Sequence, residues 1–177
     1  MILSNTVVRL LAASALALAA GAPAAADLPV SVQLGAQFPS QNNAQNAGGD
    51  AQTDFGLNYD FIRAPVVPVQ VSFAFDLAQG THGSGMFDEY GLGAAARLTT
   101  PIYAGAGISL YNVNARYAFV NAANITSTGI GESIFVGDRF LSLPGGLNFS
   151  LQATYKQLPS FAGLNPSSFG AGLRVQL

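Results

Sequence analysis

Residues 90–111, YGLGAAARLTTPIYAGAGISLY, contain two alternating patterns separated by a short turn. Apolar side chains occupy every second position of residues 90–98 and again of residues 102–110. Glycine, alanine, serine and Arg97 fill most of the positions between them. A period of two is typical of β-strands whose two faces differ chemically. The stretch therefore predicts a β-hairpin that turns at residues 99–101.

The same alternation recurs along the rest of the chain after residue 29. Five further segments show it, at residues 30–38, 54–61, 69–77, 147–155 and 169–177. Residues 128–143 are less regular, because Glu132 and Asp138 share the parity of Ile130 and Ile134. A β-bulge, or positions beyond the apolar band, would reconcile them with a strand. The chain therefore has eight predicted strands.

The connections between these strands alternate in length. Long polar links are expected at residues 39–52, 78–86, 113–127 and 158–167, and short turns join the other strands. Up-and-down hairpins with two different ends produce such an alternation. The pattern predicts an all-β fold, an eight-stranded antiparallel up-and-down β-barrel. The continuous apolar face of its strands predicts a transmembrane barrel.

The composition excludes several classes of protein. Only 9% of the residues are charged, against roughly 25% in an ordinary soluble domain, while 50% are hydrophobic. There is no cysteine, there is one histidine, and the formal net charge is −2. Disorder, a disulfide framework and nucleic-acid binding are therefore not expected. No cofactor and no metal site are predicted either.

The first 26 residues have the features of an export signal. Arg9 precedes the apolar stretch LLAASALALAA at residues 10–20, and three alanines at 24–26 fit a small-residue cleavage site. The stretch is shorter than the 20 or so apolar residues that a spanning helix requires. We expect residues 1–26 to be cleaved as a signal peptide, which leaves residues 27–177 as one barrel domain.

The character of the two faces indicates which one lies inside. The polar face is rich in glycine and carries few charges, which suits the narrow interior of an eight-stranded barrel. We expect its charged residues to form a network of ion pairs in the lumen: Asp54, Asp60, Asp76, Glu89, Arg97, Lys156 and Arg174. The apolar face would be an aggregation hazard in water but suits lipid.

Aromatic residues fall near both ends of the predicted strands, as the interfacial girdles of a membrane barrel require. Two levels are expected. Near the long links lie Phe38, Phe55, Tyr90, Tyr155 and Phe169, and near the short turns lie Tyr59, Phe61 and Phe149.

The chain resembles the small eight-stranded outer-membrane β-barrels of the OmpA-transmembrane-domain and OmpX type. The resemblance covers nearly all of residues 28–177 and includes the alternating final strand at 169–177, which ends in Leu177 where that family usually has an aromatic residue. It implies a monomer in the outer membrane of a Gram-negative-type bacterium, surrounded by lipid. It also implies that the barrel-assembly machinery reads the final strand and that the long links face outward.

Several functions are compatible with this barrel. The first is a non-enzymatic surface protein with a largely closed lumen and a structural, adhesion or interaction role. The second is a lipid-modifying enzyme, because His82 and Ser84 with nearby Glu89 resemble the His-x-Ser arrangement of lipid A deacylases. A narrow channel and a soluble, ligand-binding barrel are the remaining alternatives.

Overall fold

A computed structural model describes residues 29–63, 68–116, 124–160 and 166–177. It contains eight strands and one short helix, α1. The strands are β1 (Val30–Pro39), β2 (Gln52–Arg63), β3 (Val69–His82), β4 (Gly85–Leu98), β5 (Ile102–Arg116), β6 (Ile125–Ser142), β7 (Asn148–Gln157) and β8 (Ser167–Gln176). Helix α1 (Asn42–Gly48) lies between β1 and β2. The predicted signal peptide lies outside the described residues.

The eight strands form a closed antiparallel barrel. Each strand pairs with its neighbours in sequence, and β1 also pairs with β8, where Val32 lies opposite Val175. A closed sheet leaves no unpaired edge strand around the ring, because the first and last strands satisfy each other's backbone groups. The eight-stranded up-and-down barrel expected from the alternation is confirmed.

The barrel is polar inside and apolar outside. Among the described residues the buried side chains include many polar ones, such as Gln33 and Gln152, whereas Ile102 is 70% exposed and Leu92 is 66% exposed. Water-soluble barrels have the opposite arrangement, since burial of apolar surface drives their folding. The outward apolar surface is therefore suited to a lipid environment.

The two ends of the barrel differ. The links between β2 and β3, β4 and β5, and β6 and β7 lie at one end, which we call the short-connection end. The links that follow β1, β3, β5 and β7 lie at the other, which we call the long-connection end. The link from β3 to β4 contradicts the sequence analysis, which placed a long loop at residues 78–86. Both strands continue almost to the turn, and only Gly83 and Ser84 separate them.

The cause of this extended hairpin is visible at its tip. His82 pairs with Gly85 across the turn, and Gly83 has a φ of 58°. Two-residue hairpin turns need a residue in the left-handed backbone conformation, with positive φ, which glycine adopts without steric cost. The Gly-Ser composition therefore marks a tight turn rather than a long loop.

The link between β1 and β2 also differs from the expected polar loop at residues 39–52. It contains α1, a helix of seven residues, in which Ala44 and Ala47 are buried. Two residues three positions apart share one face of a helix, so these alanines present a small apolar surface. No helix in the described parts of the chain is long and apolar enough to cross a membrane.

Strand β6 keeps both carboxylates of the irregular segment at residues 128–143 on its outward face. The register shifts between Arg139 and Leu141, but Glu132 and Asp138 still lie on the outward face and are exposed. Glu132 lies opposite Ile108, and Asp138 lies opposite Ile102. The bulge therefore does not bring either carboxylate into the lumen.

Candidate functional site

An ion-paired cluster occupies the lumen toward the long-connection end. Lys156 Nζ lies 2.8 Å from Asp54 Oδ1 and 3.3 Å from Glu89 Oε1. Gln37 Nε2 donates a hydrogen bond of 3.0 Å to the second oxygen of Glu89. These four residues come from β7, β2, β4 and β1, and all four are buried. One ammonium group therefore links β7 to β2 and β4 across the lumen.

A second cluster lies nearer the short-connection end. Arg97 Nη2 lies 3.3 Å from Asp60 Oδ2, and Arg97 Nε donates a hydrogen bond of 2.8 Å to Gln70 Oε1. Ser72 Oγ donates to the other oxygen of Asp60 at 2.8 Å. Gln176 Nε2 lies 3.4 Å from Asp60 Oδ2. Buried charges need such pairing and additional hydrogen bonds to offset their desolvation.

Arg174 departs from the expectation that all three lumen cations pair with acids. Its Nη2 donates to Ser31 Oγ at 2.5 Å, and its Nη1 lies 3.5 Å from Gln152 Oε1. Within the described part of the chain, the lumen ion pairs involve Arg97 and Lys156 only. The guanidinium of Arg174 is thus held by neutral groups.

Asp76, the remaining acid of the expected network, faces Tyr111. The Tyr111 hydroxyl donates to Asp76 Oδ2 at 3.2 Å. The aromatic ring of Tyr111 lies against Gly91 of β4 and Gly131 of β6, the two strands that flank β5. A β-carbon at either position would overlap the ring, so the ring or the strand would have to shift.

An apolar group lies in the lumen between the first cluster and the long-connection end. Ala44 and Ala47 of α1 belong to one buried cluster with five other residues, and Ala47 is 0% exposed. The other members are Phe87, Tyr111, Val113, Ala115 and Leu158. Seven apolar side chains therefore lie together at this end of the lumen. We call this group the mouth cluster.

The weak catalytic candidates do not come together. His82 and Ser84 are exposed at the tip of the hairpin, on either side of its turn. Glu89 points into the lumen, where Lys156 and Gln37 engage it. A catalytic His needs an orienting carboxylate and a nucleophile within hydrogen-bond reach. Within residues that the structure describes, no group of three His, Cys, Asp or Glu could hold a metal ion.

The aromatic residues predicted for the two interfaces lie on the outward face. Tyr155 pairs with Phe169 across β7 and β8, with ring centroids 4.9 Å apart, and Phe38 lies opposite Phe169 on β1. Tyr59 and Phe61 lie near the short-connection end and are exposed. The outward exposure of these rings is the arrangement that an interfacial girdle requires.

A polar ladder that the sequence analysis missed covers the outward face of β3–β6 near the long-connection end. Gln79 donates to Asp88 at 2.8 Å, and Asn112 donates to Thr128 at 2.9 Å. On β5 this ladder begins directly after Leu110, at the end of an apolar run that starts at Ile102. The run from Ile102 to Leu110 is nine residues long, which agrees with the roughly 9–11 residues that a tilted transmembrane strand needs.

Comparisons with known proteins agree with this architecture. No family model matches the sequence, and no curated protein does. The solved structure of Neisserial surface protein A (NspA) is similar, with a TM-score of 0.57, 18% identity, and coverage of 84% of this chain and 97% of that one.

Two further structures are similar over most of their length. The N-terminal β-barrel domain of Pseudomonas aeruginosa OprF has a TM-score of 0.50 and 13% identity, with coverage of 82% of this chain and 93% of that one. The Yersinia pestis outer membrane protein Ail has a TM-score of 0.49 and 14% identity, with coverage of 84% and 98%. This chain therefore has the fold of the small eight-stranded outer-membrane β-barrels.

Proposed function

We propose that the protein is a non-enzymatic outer-membrane β-barrel with a structural, adhesion or surface-interaction role. Its surroundings are outer-membrane lipid, its lumen is largely closed, and its long-connection end faces the exterior. The observation that carries this proposal is the combination of an apolar outer surface with an ion-paired lumen beneath the mouth cluster. The fold alone does not specify a function.

The mouth cluster argues against a channel. The lumen beneath it holds Lys156 between two carboxylates and, farther along, Arg97 beside Asp60. Eight strands enclose little space beyond what their own side chains fill. We therefore expect no conductance above the lipid background in planar bilayers that contain the purified protein. Regular single-channel steps would contradict the closed lumen.

The positions of His82 and Glu89 argue against the lipid-modifying enzyme. His82 is exposed at a hairpin tip, while Glu89 is fully buried and ion-paired. We expect His82→Ala to leave the chemistry of the membrane lipids unchanged when cells with either protein are compared by mass spectrometry. A lipid product that requires His82 would restore the enzyme hypothesis.

Membrane fractionation and gel mobility test the proposal as a whole. A closed barrel resists detergent until it is heated, so unheated and boiled samples of the outer-membrane fraction should migrate differently. A protein that remains soluble without detergent, with identical mobility in both lanes, would overturn the lipid-facing assignment. It would also favour the soluble-barrel alternative.

The cysteine-free sequence allows a direct test of orientation. Ser84→Cys places one thiol at the exposed hairpin of the long-connection end, and Ser142→Cys places one at the exposed short-connection end. A membrane-impermeant maleimide should label Ser84→Cys on intact cells and Ser142→Cys only after lysis. The reverse pattern would refute the proposed orientation.

The surface role needs its own measurement. Cells that produce the protein should differ in attachment to solid or protein-coated surfaces from cells that produce a variant with changed loops. The matched control carries a substitution at the short-connection end, such as Ser142→Ala at the end of β6. Equal attachment by all three strains would argue for a purely structural role.

A further inference from the structure

Arg174 is the one lumen cation whose partners are all neutral within the described residues. It lies on β8, and its residue is 3% exposed. Its hydrogen-bond partners are the Ser31 hydroxyl and the side-chain oxygen of Gln152. The Nε atom is buried and has no hydrogen-bond partner. A guanidinium offers five N–H donors and is always charged, so several of its donors remain available.

A buried charge of this kind is costly unless an opposite charge lies beside it. Arg97 and Lys156 meet that requirement through Asp60, Asp54 and Glu89. Asp60 is already engaged by Arg97, Ser72 and Gln176. The remaining lumen acid, Asp76, is three strands away from Arg174 by register. Arg174 lies opposite Gln33, Gln33 lies opposite Gly56, and Gly56 lies opposite Asp76.

Arg174 lines a cavity of about 30 Å³ in the lumen. A single water molecule needs about 10–15 Å³ of such space, so the cavity holds particles of about that size but not a large polyatomic ion. The lining is rich in groups that can donate hydrogen bonds, which include Gln33, Ser109, Ser133, Thr154 and Lys156. Polar groups from several strands therefore line a small space beside a cation that has no carboxylate within ion-pair distance among the described residues.

We propose that this cavity binds a small monatomic anion, of the size of chloride, beside Arg174. The anion supplies the counter-charge that the protein's own carboxylates give to Arg97 and Lys156. Hydroxyl and amide groups around the cavity complete its coordination, in place of the water shell that the ion loses. Asp76 also lines the cavity and opposes the anion electrostatically, so the site lies toward Arg174.

Refolding in defined salts tests the proposal. The urea-unfolded protein is folded into detergent at fixed ionic strength, with chloride or bromide replaced stepwise by gluconate, which is too large for the cavity. Binding to the folded state alone stabilises it in a saturable way. We expect the Tm to rise by several degrees with halide and then to level off. A Tm that does not depend on the halide would overturn the proposal.

Three variants assign the effect to the cavity. Arg174→Gln should abolish the halide dependence, whereas Arg116→Gln, at the half-buried end of β5, should retain it. Asp76→Asn removes the opposing charge and should preserve or strengthen the response. Loss of the response in Asp76→Asn, or its persistence in Arg174→Gln, would refute the assignment.

A crystallographic measurement on the unaltered protein removes any dependence on the variants. Protein refolded in bromide should give an anomalous peak in the lumen next to the guanidinium of Arg174. Density there without anomalous signal would identify ordered water and would overturn the proposal.

Discussion

Lys156 Nζ lies 2.8 Å from Asp54 Oδ1, although the two residues are 102 positions apart in sequence. The same ammonium group lies 3.3 Å from Glu89, so one side chain connects β7 to β2 and to β4 across the lumen. Because all three residues are buried, removal of the cation leaves two carboxylates without their counter-charge.

Lys156→Met should therefore destabilise the barrel strongly. Breaking a buried pair by removal of one partner costs about 3–5 kcal/mol, and the free energy of unfolding in urea with detergent should fall by about that amount. Arg116→Met is the control, since Arg116 lies at the end of β5, outside the two lumen clusters, and its Nε donates to the backbone oxygen of Ser84. Addition of Glu89→Gln to Lys156→Met should recover part of the loss. Equal losses in Lys156→Met and Arg116→Met would contradict this account.

The packing of Tyr111 against glycine gives a second prediction. In Gly91→Ala the new methyl group would overlap the Tyr111 ring, and overpacking of this kind costs about 1–3 kcal/mol. In Gly56→Ala the nearest atom to the new methyl group would be Gln33 Cβ at 3.4 Å, an ordinary contact. Unfolding in urea should distinguish the two variants. Equal stability of both would show that the ring moves aside without cost.

The ring pair on the outer surface gives a third prediction. Tyr155 and Phe169 face each other across β7 and β8, with centroids 4.9 Å apart. Such aromatic pairs contribute about 0.5–1.5 kcal/mol beyond the area that they bury. A double-mutant cycle with Tyr155→Ala and Phe169→Ala, measured in lipid vesicles, should give a coupling energy in that range. If the losses in unfolding free energy of the two single variants add up to that of the double variant, lipid replaces the ring contact.

Helix α1 gives a fourth prediction. Ala47 is 0% exposed within the mouth cluster, whereas Asn46 on the same helix is exposed. Ala47→Glu would bury a carboxylate among apolar side chains, so the helix should leave the cluster. Limited proteolysis should then cleave the β1–β2 link in Ala47→Glu but spare it in Asn46→Glu. The barrel itself should keep its heat-dependent mobility on gels.

The strand pattern could be predicted from the sequence because alternation is a local signal. Within residues 90–98 and 102–110, the alternation alone identifies the apolar face and the polar face of each strand. No information from any other strand is needed. The polar interior followed from the small, weakly charged residues on one face. Both inferences depend on side-chain chemistry along a single strand, which the sequence states directly.

Features that depend on distant contacts could not be predicted in this way. The segment NNAQNAG has weak helix propensity, and α1 forms where Ala44 and Ala47 meet apolar residues of other strands. The partners of Lys156, and the lack of a carboxylate at Arg174 among the described residues, depend on how far the strands are staggered. That stagger is set by closure of the whole ring and not by any single strand.

The pairing of β1 with β8 has a kinetic consequence. The seam joins Ser31 to Gln176, residues near opposite ends of the described chain, so it has the longest loop to close. Until that seam forms, β1 and β8 each expose a row of unpaired backbone groups. In an apolar, weakly charged chain, such edges promote aggregation. A polypeptide that lacks β8 therefore cannot close the sheet. We expect a chain truncated before β8 to be degraded rather than to accumulate.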